Sequence, residues 1–330
     1  MLISKDADPL VTIICLCYNH ERFIAEALQS VMDQTYQQIQ LIVVDDFSKD
    51  GSVSVITNFL KRYPSIVFLQ LPHNMGMTKA FNKALILAKG EFIVDFAGDD
   101  VLHPERIEKQ VRSFQQLDNS YGVVFSDAWL TDKNSKVIGT FYKRSPDGTL
   151  LEKVPSGNIY LETLHRYCVC APTIMSRKMV YEDLKGYDEM LVYEDFDFFI
   201  RSTRKYNYWY QDELLTYYRQ SPESESKQFY RKSYNPHLAS TLAVCRKAHG
   251  QNISEAENEA LAHRVRYLLR QSFFTENFSL VKDYLDLLHA MRRSDIISQS
   301  IAALARLRIR TGFLFFSYMK FRQLLSGKAK

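Results

Sequence analysis

The first hundred residues alternate two kinds of apolar pattern. Val11-Thr-Ile-Ile-Cys-Leu-Cys17 is a continuous apolar and β-branched run, as a strand buried on both faces requires. Over residues 21–32 the apolar positions Phe23, Ile24, Ala27, Leu28 and Val31 recur at helical spacing. Residues 40–44 predict a second strand ending in Asp45-Asp46. Ser48 is placed to cap a helix that carries Val53, Ile56, Phe59 and Leu60. A third strand over 66–71, a helix over 78–89 with Gly90 as its C′ residue, and a fourth strand over 91–96 follow. Asp99-Asp100 then precede a helix opened by Pro104. Strands separated by helices of this length form βαβ units and a parallel sheet covered on both faces. Such sheets bind ligands at the carboxyl ends of their strands. Tyr18-Asn19-His20, Asp45-Asp46 and Asp99-Asp100 are therefore expected on one edge.

The second half is less regular. Residues 121–130 predict a fifth strand, and 131–156 a hairpin with a mobile loop. Short helices are expected over 159–167 and 178–184, a stronger one over 194–206, and a strand over 208–218. Residues 220–232, polar and rich in Ser and Glu, suggest a linker or lid, and after Pro236 the pattern is helical. The division expected is an α/β body over 1–225, with halves of about 1–128 and 129–225, and a helical region over 226–330.

Composition narrows the class. The chain has 330 residues, 46% hydrophobic and 24% charged, which excludes wholesale disorder and allows a sizeable core. It has no run of about 18 uncharged apolar residues, so a membrane-spanning helix is not expected. The N-terminus is too acidic, and its apolar stretch too short, for a secretory signal. Five cysteines, odd in number and without disulfide-dense spacing, read as small buried thiols and suit the cytosol. The net charge of +4 hides an asymmetry. Residues 296–330 carry Arg306, Arg308, Arg310, Lys320, Arg322, Lys328 and Lys330 and no acid. The rest holds the other 35 of 42 basic residues and all 38 acidic ones.

Several common chemistries lack their motifs. No two glycines have G-x-G spacing, and there is no G-x₄-G-K-[ST] loop, H-E-x-x-H or G-x-S-x-G. What remains is acidic. Asp99-Asp100 at a strand end suits a hard divalent cation bound to phosphates, or else a turn that caps the next helix. In Asp45-Asp46 one carboxylate suits a nucleobase N–H or ribose hydroxyl; the other reading is an Asx turn. Tyr18 is either a base-stacking ring or a core residue. Glu194-Asp195 is either stabilised by the N-terminus of its helix or a general base towards a hydroxyl.

Together these segments resemble family-2 glycosyltransferases, the inverting enzymes of GT-A fold. The resemblance is carried by residues 11–20, Gln34-Thr35-Tyr36, Ile42-Val-Val-Asp-Asp-Phe-Ser-Lys-Asp-Gly51, Asn74-Met-Gly76 with Ala80 and Asn82, Gly90-Glu-Phe-Ile93, Asp99-Asp100 and Glu194-Asp195. It implies a Rossmann-like mixed sheet flanked by helices, with a helical C-terminal extension. It also implies a hexosyl- or N-acetylhexosaminyltransferase that moves a sugar from a nucleotide-diphosphate sugar, usually a UDP-sugar, to a glycan or lipid-linked acceptor in surface polysaccharide synthesis. Tyr18 and Asp46 would contact the base, and Asp99 the ribose or diphosphate. Asp100 would ligate Mn²⁺ or Mg²⁺, and Asp195 would be the catalytic base. There are departures. Ala97 stands where many members have Asp, and Phe47 where Gly is frequent. No His follows Tyr218-Arg219-Gln220, and Phe81 stands where Arg is common, with Lys79 as its substitute. A non-catalytic nucleotide- or carbohydrate-binding scaffold of the same fold is the alternative these departures suggest. A nucleotidyltransferase is disfavoured, because residues 10–22 contain no Gly.

From Ile296 onward the pattern is both basic and apolar. This suits either an anionic membrane surface, on the cytoplasmic face of the inner membrane, or a packing helix with a solvated basic face. Nucleic acid is not expected as a partner, since aromatic platforms and recognition motifs are lacking.

Overall fold

The computed structural model describes residues 8–220, 229–230, 232–310 and 312. The chain divides into two compact units, one formed by 1–163 with 167–221 and the other by 164–166 with 222–330. The sequence-based boundary at 225 falls within 221–228, outside the described residues.

The first unit is built on one sheet of nine strands. Its parallel half contains β1 (Val11–Cys17), β2 (Ile39–Asp45), β3 (Val67–Gln70) and β4 (Phe92–Ala97), in the order β3-β2-β1-β4. These strands are linked through α1 (Ile24–Met32), α2 (Ser52–Leu60) and α3 (Met77–Leu85). Beyond β4 the sheet turns mixed. The short β5 (Val101–Leu102) lies at the far edge, and α4 (Arg106–Gln116) leads into β6 (Tyr121–Thr131), which pairs with β7 (Val137–Thr140). After α5 (Tyr160–His165), β8 (Met175–Arg177) inserts antiparallel between β4 and β6. Then α6 (Lys178–Leu184) and α7 (Asp195–Thr203) precede β9 (Asn207–Arg219), which runs parallel to β6 and antiparallel to β5. Residue 128 lies within β6, so the sheet is continuous across it.

Strand periodicity assigns the two cores. In β4, Phe92, Val94 and Phe96 enter a cluster with Ile13, Cys15, Leu28, Ile107 and Phe114. Ile93, on the opposite face, joins Ile14, Leu16, Phe81, Tyr181, Tyr187 and Phe198. Asp95 shares the face of Ile93 by the same alternation.

Two local expectations are corrected. Ser48 is not a helix cap: α2 begins at Ser52 with Gly51 as its N-cap, and Ser48 instead hydrogen-bonds to Asp45. Gly90 is not the C′ residue of α3, which ends at Leu85. Its N–H donates to Thr12 Oγ1 at 2.8 Å. A Cβ there would lie 2.5 Å from the Thr12 nitrogen and 2.8 Å from the carbonyl oxygens of Leu10 and Phe92. Glycine at 90 is thus set by close backbone approach to β1.

The second unit is helical: α8 (Pro236–Gln251), α9 (Glu255–Phe274), α10 (Phe278–Ala290) and α11 (Ile296–Arg306). Ser254 and Glu257 form a reciprocal capping box at α9, and Asn235 and Asp295 cap α8 and α11. No helix among the described residues is long and apolar enough to cross a membrane. The basic segment 313–330 lies outside them.

Candidate functional site

The carboxyl end of β1 gathers the acidic clusters. The Cys17 carbonyl accepts the N–H of Asp46 at 2.9 Å, and the Leu16 carbonyl accepts that of Gly98 at 2.8 Å. The ends of β2 and β4 are thereby held on either side of β1, each about one strand spacing of ~4.8 Å away. Tyr18, Asp46 and Asp99-Asp100 share this edge. Tyr18 is 44% exposed, so it is not a core residue. The loop beneath it is knitted to the β2–α2 loop. Asn19, at φ 58°, receives a bond from Lys49 N to its Oδ1 at 2.7 Å, and its own N–H donates to Ser48 Oγ at 2.9 Å. Phe47 adopts φ 66°, the left-handed region a glycine would enter freely, and Lys49 Nζ lies 3.4 Å from its ring centroid.

Asp46 is buried, and both its oxygens are engaged. Met75 N–H donates at 2.7 Å and Gly76 N–H at 2.9 Å. Gly76, at φ 82°, makes this bend and starts α3. Lys79, in the first turn of that helix, is exposed and forms no ion pair with a described residue. The Phe81 side chain is fully buried against Tyr181 and Tyr187, so no charge is placed where Arg is common.

The Asp99-Asp100 turn is clamped by Arg219, at the end of β9. Its N–H donates to Asp100 Oδ1 at 2.8 Å, and its Nε to the Asp99 carbonyl at 2.7 Å. The other guanidinium nitrogens reach the Asp132 carbonyl, Ser135 Oγ and Glu26, while Phe23 lies beneath the guanidinium. Burial first, and Asp99 second, push the Asp100 carboxyl well above its ordinary range, with Arg219 and Arg106 opposing. Arg106 is fully buried and donates to the carbonyls of Pro172 and Ile174 and to Thr216 Oγ1. Asp99 is partly exposed.

Asp195 is the first residue of α7, in the mixed half of the first unit. It is partly buried, and its carboxylate has no hydrogen bond with a described residue. Burial, then the charge of Asp95, raise its carboxyl to about 7. Asp95 itself is raised to about 6 by burial, opposed by a hydrogen bond from Tyr187 Oη at 2.8 Å. Burial first, then the charge of Asp100 and, more weakly, that of Asp195, push the hydroxyl of Tyr218, next to Arg219, up. The two acidic clusters therefore act on one tyrosine.

Asp95, Arg106 and Tyr187 were not singled out from the sequence, and Asn82 was read only as part of the motif. Asp95 carried a readable signal, since it is a lone acid inside an apolar strand run. Tyr218-Arg219 was noticed as a motif, but its clamp on the acidic turn depends on β5 pairing with β9, which no local pattern announces. Among the described residues no group of three or more His, Cys, Asp or Glu side chains is arranged to hold a metal.

A parallel βαβ half with acids at its carboxyl edge, continued by an antiparallel half that brings up further carboxylates, makes this an enzyme of GT-A architecture. The chain belongs to the glycosyl transferase family 2, which it matches over residues 12–184, and it is a glycosyltransferase. Asp195 lies beyond the matched span. An uncharacterized glycosyltransferase of Methanocaldococcus jannaschii is 26% identical over 222 residues, covering 66% of this chain and 73% of that protein. EpsE of Bacillus subtilis, named as a glycosyltransferase, is 32% identical over 183 residues, covering 55% and 61%. Staphylococcus aureus TarS, solved with UDP, shares the fold with a TM-score of 0.64 at 20% identity, covering 90% of this chain and 91% of that one. The mannosyltransferase PcManGT of Pyrobaculum calidifontis, solved with GDP-Man and Mn²⁺, aligns with a TM-score of 0.56 at 16% identity, covering 95% and 84%.

Proposed function

We propose that the chain is a metal-dependent, inverting glycosyltransferase that moves a sugar from a UDP-sugar to a hydroxyl of a glycan or lipid-linked acceptor. The observation that carries this is Asp195. Among the described residues its carboxylate has no hydrogen-bond donor, it is raised to about 7 by burial and by Asp95, and it opens α7 in the same unit that holds the buried Asp100. A base near neutrality matches the operating pH, and positioned proton transfer contributes roughly 10²–10⁴ in rate. UDP and UDP-GlcNAc complexes of the TarS fold neighbour support a uridine donor.

Each remaining residue has a role in this reading. Tyr18 offers an exposed ring for the base, and Asp46 sits at the adjacent strand end, where its remaining lone pairs face the base or ribose. Lys79 extends from the first turn of α3 as a counter-charge for phosphate. Asp99 and Asp100 fit a hard cation such as Mn²⁺ or Mg²⁺. They are oxygen donors, and a site short of three protein ligands suits an ion that keeps waters and phosphate oxygens. The ion, when bound, neutralises the leaving diphosphate. Arg219 holds the acidic turn in place, and Asp195 accepts the proton of the attacking hydroxyl. Attack from the side opposite the diphosphate inverts the anomeric configuration.

The chemistry of the second unit supports a place of action at a membrane surface. Ile296, Ile297 and Leu307 are exposed on and just after α11, alongside Arg306, Arg308 and Arg310, a combination suited to the cytoplasmic surface of an anionic membrane where lipid-linked acceptors reside. This supports a role in surface polysaccharide synthesis.

The test is release of UDP from UDP-N-acetylglucosamine and other UDP-sugars with Mn²⁺. Asp195→Asn is expected to abolish turnover and to keep UDP binding; full turnover by that variant would remove Asp195 as the base.

A further inference from the structure

The loop after β2 holds a residue whose backbone is strained and whose side chain joins neither core. Phe47 sits at φ 66°, in the left-handed region that a bulky L residue enters at a penalty and glycine enters freely. Its ring belongs to neither buried cluster, so core packing does not offset that penalty. The bend persists because both neighbours are fixed. Asp46 is held by Asn74 Nδ2, which donates to its carbonyl at 3.2 Å, and by the N–H groups of Met75 and Gly76 on its carboxylate. Ser48 donates its N–H to Asp45 Oδ1 at 3.0 Å, and its Oγ accepts from Asn19 N. Strain of this kind gathers at ligand sites, where the surroundings over-determine it.

What the ring carries is a charge. Lys49 Nζ lies 3.4 Å from its centroid, where the ring quadrupole attracts a cation. Lys49 is exposed and forms no ion pair with a described residue. Its backbone N–H donates to Asn19 Oδ1 at 2.7 Å, which ties it to the residue that follows the exposed Tyr18. The acidic turn Asp99-Asp100 comes after β4, on the other side of β1. Two strand spacings, ~10 Å, thus separate the β2 end from that turn. The ammonium stands with Tyr18 and Asp46 rather than with the turn suited to a phosphate-bound cation.

We infer that Lys49, held over Phe47, is a specificity-determining residue of the donor site: it selects a nucleobase that carries an oxo group on its outer edge, uracil, over one that carries an amino group there, cytosine. The inference rests on the reading of Tyr18 and Asp46 as the base site. An ammonium has hydrogens to donate and no acceptor. It pairs with O4 of uracil, whereas it meets the N4 amino group of cytosine donor to donor. A lysine already resting on a ring loses less rotamer freedom when the base arrives than one free in solvent. That is the use of a Phe in a bend suited to glycine.

The experiment is calorimetric titration of the full chain with UDP and with CDP, both with Mn²⁺, in the native sequence, Lys49→Ala, Phe47→Gly and Tyr18→Ala. The native chain is expected to bind UDP more tightly than CDP. Lys49→Ala is expected to weaken UDP about tenfold and CDP less than about twofold. Phe47→Gly is expected to weaken UDP about threefold through the lost platform, and not to lower the melting temperature. Equal losses of UDP and CDP in Lys49→Ala overturn the inference, since the lysine would then act as bulk charge on the diphosphate. Unchanged UDP binding in that variant overturns it too, as does a native chain without preference. A clear fall in the melting temperature of Phe47→Gly overturns the argument from strain, because the ring would then serve the fold. Tyr18→Ala separates this inference from the reading beneath it. UDP binding unmoved by Tyr18→Ala removes the base site itself. Weakened UDP binding in Tyr18→Ala, beside an unchanged UDP-to-CDP ratio in Lys49→Ala, removes only the role of Lys49.

Discussion

Replacing Asp195 by Asn is expected to do two opposed things: stop catalysis and stabilise the fold at alkaline pH. The folded chain holds the Asp195 proton to about 7 against an ordinary 3.8. Between those two titrations the folded state binds more protons than the unfolded state. Stability from this group is therefore full at low pH and is lost as pH rises through the folded value. The shift corresponds to about 4 kcal/mol at most, and to about 2 kcal/mol once the partly solvent-facing carboxylate is discounted for screening. Asn carries no charge and escapes this cost, so at pH 8 the variant gains about 2 kcal/mol. At pH 5 the native carboxyl is already largely protonated and the gain shrinks to below about 1 kcal/mol. In melting experiments that is a rise of about 4–8 °C at pH 8 and about 3 °C or less at pH 5. Any hydrogen-bond cost of the amide is the same at both pH values, so the change with pH is the diagnostic quantity. A difference independent of pH, or one larger at pH 5, would refute the reasoning.

Other outcomes follow from the same geometry. Arg219→Ala removes the guanidinium clamp from the Asp99 carbonyl, Asp132, Ser135 and Glu26. It is expected to cost about 3–5 kcal/mol by denaturant titration, with Arg219→Lys restoring only part because it lacks the planar fork. Gly90→Ala drives a Cβ to 2.5 Å from the Thr12 nitrogen, and a loss of about 1–3 kcal/mol is expected in the same assay. Asp100→Ala is expected to weaken UDP binding at least about tenfold in Mn²⁺, or about 1.4 kcal/mol, and to change it little in EDTA, by calorimetry. The acidic limb of kcat/KM is expected near pH 7, where Asp195 loses its proton; a limb near pH 4 would place the base elsewhere.

The parallel half of the fold was legible because its strands are long apolar runs and its helices carry clean stripes. Residues 11–17 were read as a strand to the residue, and the three polar strand ends meet on one edge as that pattern requires. Turn details were less legible. Ser48 looked like a cap, but Asp45 and Asn19 compete for it across the loop. Gly90 looked like a helix stop, but its reason is a neighbour 78 positions earlier in the chain. The mixed half was legible as elements and not as an arrangement. Nothing local in Met175-Ser-Arg177 announces that it will separate β4 from β6. The site follows the same division. Tyr18, Asp46, Asp99, Asp100 and Asp195 stood out as polar residues at element ends. Asp95 and Arg106 act from inside elements, where a charge is only understood once its partners, Tyr187 and the carbonyls of Pro172 and Ile174, are seen around it.

A crystal structure with an unreactive UDP-sugar analogue and Mn²⁺ tests the central claim most directly. Uracil is expected against Tyr18 and Asp46, the ion between Asp100 and the diphosphate, and the anomeric carbon between that diphosphate and the Asp195 carboxylate. A nucleotide bound away from this edge, or Asp195 on the same side of the sugar as the leaving diphosphate, would contradict it.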